Sequence, residues 1–162
     1  MYWTKYVSSS SSTSSIWRSE LDGNNPVTLV PGLKDPHGIA IDFSFQRLYW
    51  ADKDSNKIQS SDLQGENIQT VFQVSDGLDR HPYGVAVVGN RIYWSTHGLN
   101  RLQSGSKAGG QITTHYNGTS YLRQLAVVPS IDLPQNRTNH CAGRRCAMIC
   151  VLTATSSRCL DL

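Results

Sequence analysis

Between residues 36 and 72 the chain alternates short apolar runs with short polar breaks, at a spacing that suits strands rather than helices. The apolar run at Ile39–Phe43 is dense enough for a strand buried on both faces. A break at Phe45-Gln46 marks a tight turn, and Arg47–Ala51 follows as a second strand. Lys57–Asp62 reads as a third strand, closed by a turn at Leu63–Gly65, and Ile68–Phe72 as a fourth. No segment of useful length carries apolar residues at helical spacing with caps at its ends. The expectation is four antiparallel strands joined by short turns.

That unit recurs. The dipeptide Tyr-Trp stands at Tyr2-Trp3, Tyr49-Trp50 and Tyr93-Trp94, at intervals of 47 and 44 residues. "PHGIAIDF" at 36–43 precedes the second pair, "PYGVAVVG" at 82–89 precedes the third, and "LRQLAVV" at 122–128 looks like a further copy without its pair. Echoes after each pair are "SIWRSELDG" at 15–23, "KIQSSDLQG" at 57–65 and "RLQSGSKAGG" at 101–110. A period in this range signals propeller blades, each a four-stranded antiparallel sheet, so the fold class is all-β. Adjacent strand residues project to opposite faces. Stacked blades bury both faces, so each Tyr-Trp pair can send one ring to either neighbour, with ligand stacking as the alternative role. Asp52 ends its strand, where a carboxylate accepts turn amides. The serine-rich tract "SSSSSTSS" at 8–15 reads as a flexible loop.

Composition narrows the partners. A length of 162 residues suits one domain, or one domain with a small appendage, and a net charge of +3 with dispersed basic residues gives no nucleic-acid footprint. No run reaches the roughly 18 apolar residues of a membrane span, and no signal-peptide pattern opens the chain. Asn117-Gly118-Thr119 and Asn136-Arg137-Thr138 are glycosylation sequons in turn-rich sequence. The four cysteines, Cys141, Cys146, Cys150 and Cys159, permit three disulfide connectivities. A zinc site with His140 is the rival reading, though the C-x3-C spacing is not the usual knuckle. Asp52, Asp54 and Asn56 offer alternating oxygens of the kind calcium takes, without the loop that would complete such a site. The sequence carries no nucleophile elbow, phosphate loop or H-E-x-x-H motif, and "GSKAGG" at 105–110 lies in a hairpin turn rather than before a helix. No enzyme, metal or cofactor is expected.

"LYWAD", the preceding "PHGIAID" and the following "SSDLQG" resemble the YWTD, or class B, repeat of the low-density lipoprotein receptor family. "NHCAGRRCAMICVLTATSSRC" resembles the start of an EGF-like module. The resemblance implies part of a six-bladed β-propeller, about three blades at 1–130, then a linker at 131–138 and a truncated EGF-like module at 139–162. It selects the pairings Cys141–Cys150 and Cys146–Cys159 among the three. It implies a non-catalytic, protein-binding module on the extracellular side of the plasma membrane, within an endocytic or signalling receptor whose membrane attachment lies outside this chain. His37 and His81, leading into inner strands, become candidates for acid-triggered ligand release, since histidine titrates between about pH 5 and 8. A basement-membrane protein of nidogen type is the alternative, and a fragment without function of its own is a third reading. The first motif has Lys5 and the third Thr96 where the family has aspartate, so only Asp52 keeps the acid, and the other two blades are expected to be looser. An open ring exposes blade faces and strand edges, so the isolated chain is expected to be marginally stable or to self-associate.

Overall fold

The computed structural model describes residues 1–8, 13–74, 81–118, 122 and 124–129, and the backbone of 147–152 and 157–161. These residues form strands and turns with no helix. The first sheet holds β1 (Tyr2–Lys5), β2 (Ser14–Arg18) and β3 (Val27–Leu33) in that order. The second holds β4 (Pro36–Asp42), β5 (Arg47–Asp52), β6 (Lys57–Asp62) and β7 (Gln69–Gln73), and the third β8 (Pro82–Val88), β9 (Arg91–Thr96), β10 (Arg101–Ser106) and β11 (Thr113–Asn117). A fourth sheet joins β12 (Gln124–Pro129), β13 (Ala147–Leu152) and β14 (Ser157–Asp161). Every pairing is antiparallel between neighbours in sequence, the arrangement of propeller blades.

The four strands expected between 39 and 72 are all present, with shifted ends. β4 begins at Pro36, before a bulge that precedes Ile39, and ends at Asp42. Phe43 therefore lies in the turn, 73% exposed, instead of in a buried strand. The cause is Asp42, whose carboxylate accepts the amides of Ser44 and Phe45 and so starts the turn one residue early. Gln46 then takes a left-handed φ of 53°. The serine tract also differs from expectation at its end: Ser14 and Ser15 are buried in β2. The Ser14 hydroxyl accepts the Val7 amide and donates to the Lys34 carbonyl, fastening the first sheet to the chain leading into the second.

The core lies between sheets and is divided by the Tyr-Trp pairs. Trp50, with no exposed surface, packs back onto Ile16 and Val30 of the first sheet beside Leu48. Tyr49 faces the other way, joining Ile58, Phe72, Val85, Ile92 and Trp94 between the second and third sheets. Tyr93 repeats the arrangement one sheet later, against Leu102, Leu122 and Leu125. Two aromatics in sequence are tolerated in β5 and β9 because each of these strands has a sheet on both sides. At 150–250 Å² per ring, each burial contributes on the order of 4–6 kcal/mol. The inner strands β4 and β8 also touch through backbone: a Cβ on Gly38 would come within 2.5 Å of the Tyr83 carbonyl oxygen. Gly38 is thus a spacing requirement between the two strands.

The fourth sheet crosses the expected linker. β12 comes from the repeat region, whereas β13 and β14 come from the cysteine-containing tail. β13 stands where a Tyr-Trp strand stands in the complete sheets: Leu125 opposes Val151 and Ala126 opposes Cys150, as Ile39 opposes Trp50 and Ala40 opposes Tyr49. Cys150 and Cys159 are cross-strand partners in the backbone register, while Cys141 and Cys146 lie outside the described residues. The expected disulfide pairings rest partly on those residues.

Candidate functional site

The links that carry the chain from one sheet to the next gather a polar and aromatic cluster at one end of the inner strands. Asp35, in the link before β4, is 3% exposed. One of its carboxylate oxygens takes the Lys53 ammonium at 2.7 Å, and the other lies 3.1 Å from His37 Nε2. That second oxygen has no hydrogen-bond partner among the described residues, although His37 Nε2 lies within ion-pair distance. The hydrogen bond that the ammonium donates to Asp35, with burial opposing it, raises the Lys53 pKa above its ordinary value of 10.5 and keeps the ammonium charged. The Lys53 amide in turn donates to the Asp35 carbonyl at 2.9 Å.

Asp52 holds this link from below. Its buried carboxylate accepts the amides of Lys34 at 3.1 Å and Asp35 at 2.9 Å. The acid therefore ties the link to the second sheet, a more distant bond than the turn following its own strand. Thr96, its counterpart in the third sheet, is fully buried, and its hydroxyl accepts the Arg101 amide at 3.3 Å. The preceding link, 75–80, lies outside the described residues. Lys5, the counterpart in the first sheet, is exposed and places its ammonium 5.2 Å from the Trp17 ring.

From Asp35 the cluster runs across the axis. The His37 ring stacks on Tyr83 of the third sheet at 3.9 Å, and Tyr83 stacks on His97 at 6.0 Å. His81 adopts φ 70°; its amide donates to Asn56 Oδ1 at 2.9 Å and its Nδ1 lies 3.3 Å from the Lys53 carbonyl. The His97 amide closes the row on the His81 carbonyl. The two histidines singled out from sequence thus share one cluster, with His37 and Tyr83 at equivalent Pro-x-Gly positions. Asp35, Lys53, Tyr83 and His97 gave no sequence signal of their own. The legible trace was the alignment of "DPHG" with "HPYG", which puts His37 and Tyr83 at one register.

Other candidates resolve into structural roles. Asp54 lies 3.6 Å from the Lys53 ammonium and Asn56 is engaged by His81, so the oxygens considered for calcium point to separate partners. Among the described residues no group of three or more His, Cys, Asp or Glu could hold a metal. Ser104 and His115 form a 2.7 Å hydrogen-bonded pair. However, Ser104 is fully buried and its oxygen also accepts from Arg91 at 2.7 Å, so it cannot reach a substrate as a nucleophile. Asn117 is exposed at the end of β11, its side-chain oxygen accepting from Arg101 at 2.6 Å. Asn136 lies outside the described residues.

Two receptors match part of the chain in sequence. Human low-density lipoprotein receptor-related protein 5 is 40% identical over 70 residues, which make up 43% of this chain and 4% of that protein. The Drosophila melanogaster vitellogenin receptor Yl is 33% identical over 88 residues, 54% of this chain and again 4% of the receptor. The resemblance to the low-density lipoprotein receptor family holds. The matched stretches span only 4% of these receptors, so what the whole receptors do is not carried over with the match. No family model matches the chain. Among solved structures, a chain of the nidogen/laminin complex superposes with a TM-score of 0.69 at 18% identity, over 91% of this chain and 52% of its own length. The computationally designed Ika4 protein superposes at 0.57 with 9% identity, over 98% of this chain and 89% of its own. A luciferin-regenerating enzyme does so at 0.57 with 14% identity, over 79% and 48%. These likenesses show the fold, part of a β-propeller, and an enzyme among them shows that the fold alone does not exclude catalysis.

Proposed function

We propose that the chain is a non-catalytic, protein-binding and scaffolding module of a lipoprotein-receptor-related receptor, displayed on the extracellular side of the plasma membrane. The 33–40% identity to two receptors carries this reading. The His37–Tyr83–His97 row, with Lys53 beside it, supplies the groups a protein ligand would meet: stacked rings, a fixed cation and partly exposed histidines. In the same reading His37 and His81 act as the acid-release residues, Asn117 and Asn136 carry glycans, and Cys141–Cys150 and Cys146–Cys159 are the disulfides of the tail. A matrix role is the second reading, supported by the likeness to a chain of the nidogen/laminin complex.

The test is binding of purified extracellular proteins, laminin among them, to the immobilised secreted chain at pH 7.4 and 5.5. The receptor reading expects a non-laminin protein whose affinity falls at least tenfold with Tyr83→Ala or Lys53→Glu. It also expects release at pH 5.5 that His37→Ala or His81→Ala blunts. Laminin binding with the same sensitivities would favour the matrix reading instead. Binding indifferent to both Tyr83→Ala and Lys53→Glu would remove the cluster from the function altogether.

A further inference from the structure

We propose that the cleft between the second and third sheets, at the end of the inner strands remote from the His37 cluster, binds one uncharged pyranose unit of a carbohydrate. β4 runs from that cluster at Pro36 to Asp42, and the turn that follows, residues 43–46, leads into the cleft. Phe45, Arg47, Tyr49 and Gln69 line it from the second sheet, and Asn90 and Lys107 from the third. Its volume is about 260 Å³. That lies below the roughly 300–1,000 Å³ of pockets that enclose drug-sized ligands, so the cleft suits a single small ring.

One carboxylate builds the aromatic wall. Asp42 Oδ1 accepts the amides of Ser44 and Phe45 and sets the turn, while Oδ2 takes the Lys107 ammonium from the third sheet. That ammonium lies 4.8 Å from the Phe45 ring centroid, and the Lys107 amide donates to the Asn90 carbonyl at 3.0 Å. The ring is thus held in place, yet Phe45 is 64% exposed. Repeat packing does not require it. β8 and β9 are joined by Gly89-Asn90 alone, a shorter turn without an aromatic.

The lining matches a sugar better than the alternatives. The C–H groups on one face of a pyranose are partly positive and pack on an aromatic ring, whose face is negative. Its hydroxyls both donate and accept, as do the side-chain amides of Gln69 and Asn90. An apolar side chain in the same place would leave those amides unpaired. Charge argues against an anion. Lys107 is neutralised by Asp42, and Arg47 directs Nη2 to Ser60 Oγ at 2.9 Å and to the Asn67 carbonyl at 3.2 Å. Both cations are therefore already engaged.

The experiment titrates the full chain with methyl α-D-mannopyranoside, methyl β-D-galactopyranoside and N-acetylglucosamine, read by saturation-transfer NMR and backbone amide shifts. At least one sugar should bind saturably, with a Kd on the order of 1 mM for a single ring, and shift the amides of Phe45, Asn90 and Lys107. Phe45→Ala should weaken binding roughly fivefold or more, and Phe45→Trp should keep it. Gln69→Ala should also weaken it. Phe45 and Gln69 are both exposed, so the melting temperature should hardly move. Phe43→Ala is the control, since Phe43 is 73% exposed in the same turn but does not line the cleft. Tyr83→Ala, in the cluster at the other end, should leave sugar binding unchanged, which separates this inference from the proposed function. No saturable binding of any of the three sugars, or equal weakening by Phe43→Ala and Phe45→Ala, overturns the proposal. So does tighter binding of glucuronate or glucose 6-sulfate, since the cleft is then an anion site. A glycopeptide ending in the bound sugar separates the two sources, both of which support the cleft: tighter binding than the free glycoside identifies a glycan chain, and equal binding a free sugar.

Discussion

Replacing Asp52 isolates the tie between a blade and the link that feeds it. The carboxylate is 2% exposed and accepts two backbone amides, Asp35 at a buried position and Lys34 at a partly buried one. Asp52→Ala leaves the Asp35 donor without a partner in the interior, at a cost of about 1–3 kcal/mol. The Lys34 donor recovers water in part, so its loss adds about 1 kcal/mol, within the range for a bond to a charged acceptor. The expected total is about 2–4 kcal/mol. Asp52→Asn keeps one acceptor oxygen and should cost roughly half as much. Urea unfolding followed by tryptophan fluorescence gives the free energies, and amide exchange at Lys34, Asp35 and Lys53 reports the local effect. Because the Lys53 amide bonds the Asp35 carbonyl, its protection should fall together with that of the link. An Asp52→Ala variant within 0.5 kcal/mol of the parent, or equal to Asp52→Asn, would refute the tie; so would exchange that changes uniformly across the second sheet.

Three further outcomes follow from the packing. Gly105→Ala should destabilise by about 1–3 kcal/mol in thermal melts, because a Cβ there would sit 2.2 Å from the Phe72 ring, and Phe72→Leu should relieve part of that loss. Gln103→Leu should cost about 1–3 kcal/mol, since its buried amide oxygen accepts Trp94 Nε1 at 3.1 Å, whereas Gln59→Leu should cost little, because Trp50 Nε1 has no partner to lose. Burial, followed by the charge of Arg91, lowers the His115 pKa from its ordinary 6.5. The neutral ring is thus favoured in the fold, so its contribution to stability is present above about pH 6.5 and is lost as pH falls through the depressed folded value. His115→Gln should flatten that part of a melting-temperature profile, and an unchanged slope between pH 7 and 5 would refute the assignment.

The strand plan was legible in the sequence because period and alternation are local properties. The second blade shows this best: each apolar run from Ile39 to Phe72 became a strand within three residues of its expected ends. The opposite faces of Tyr49 and Trp50 also followed from strand geometry, and their burial against different sheets agrees. Local competition decided other details. Asp42 took two turn amides and expelled Phe43 from the strand, and Ser14 was ordered by bonds to the Val7 amide and the Lys34 carbonyl that a serine tract does not announce. The candidate site was half legible. His37 and His81 stood out as titratable residues, but Asp35, Lys53, Tyr83 and His97 acquire meaning only when segments 14 or more residues apart meet. The tail strand taking a seat beside β12 was likewise beyond the sequence. Repeat periodicity thus determines the blades by itself, because every copy solves the same local packing problem. What lies between copies depends on which backbone edges and rings the tertiary arrangement brings within bonding distance, and only the structure decides that.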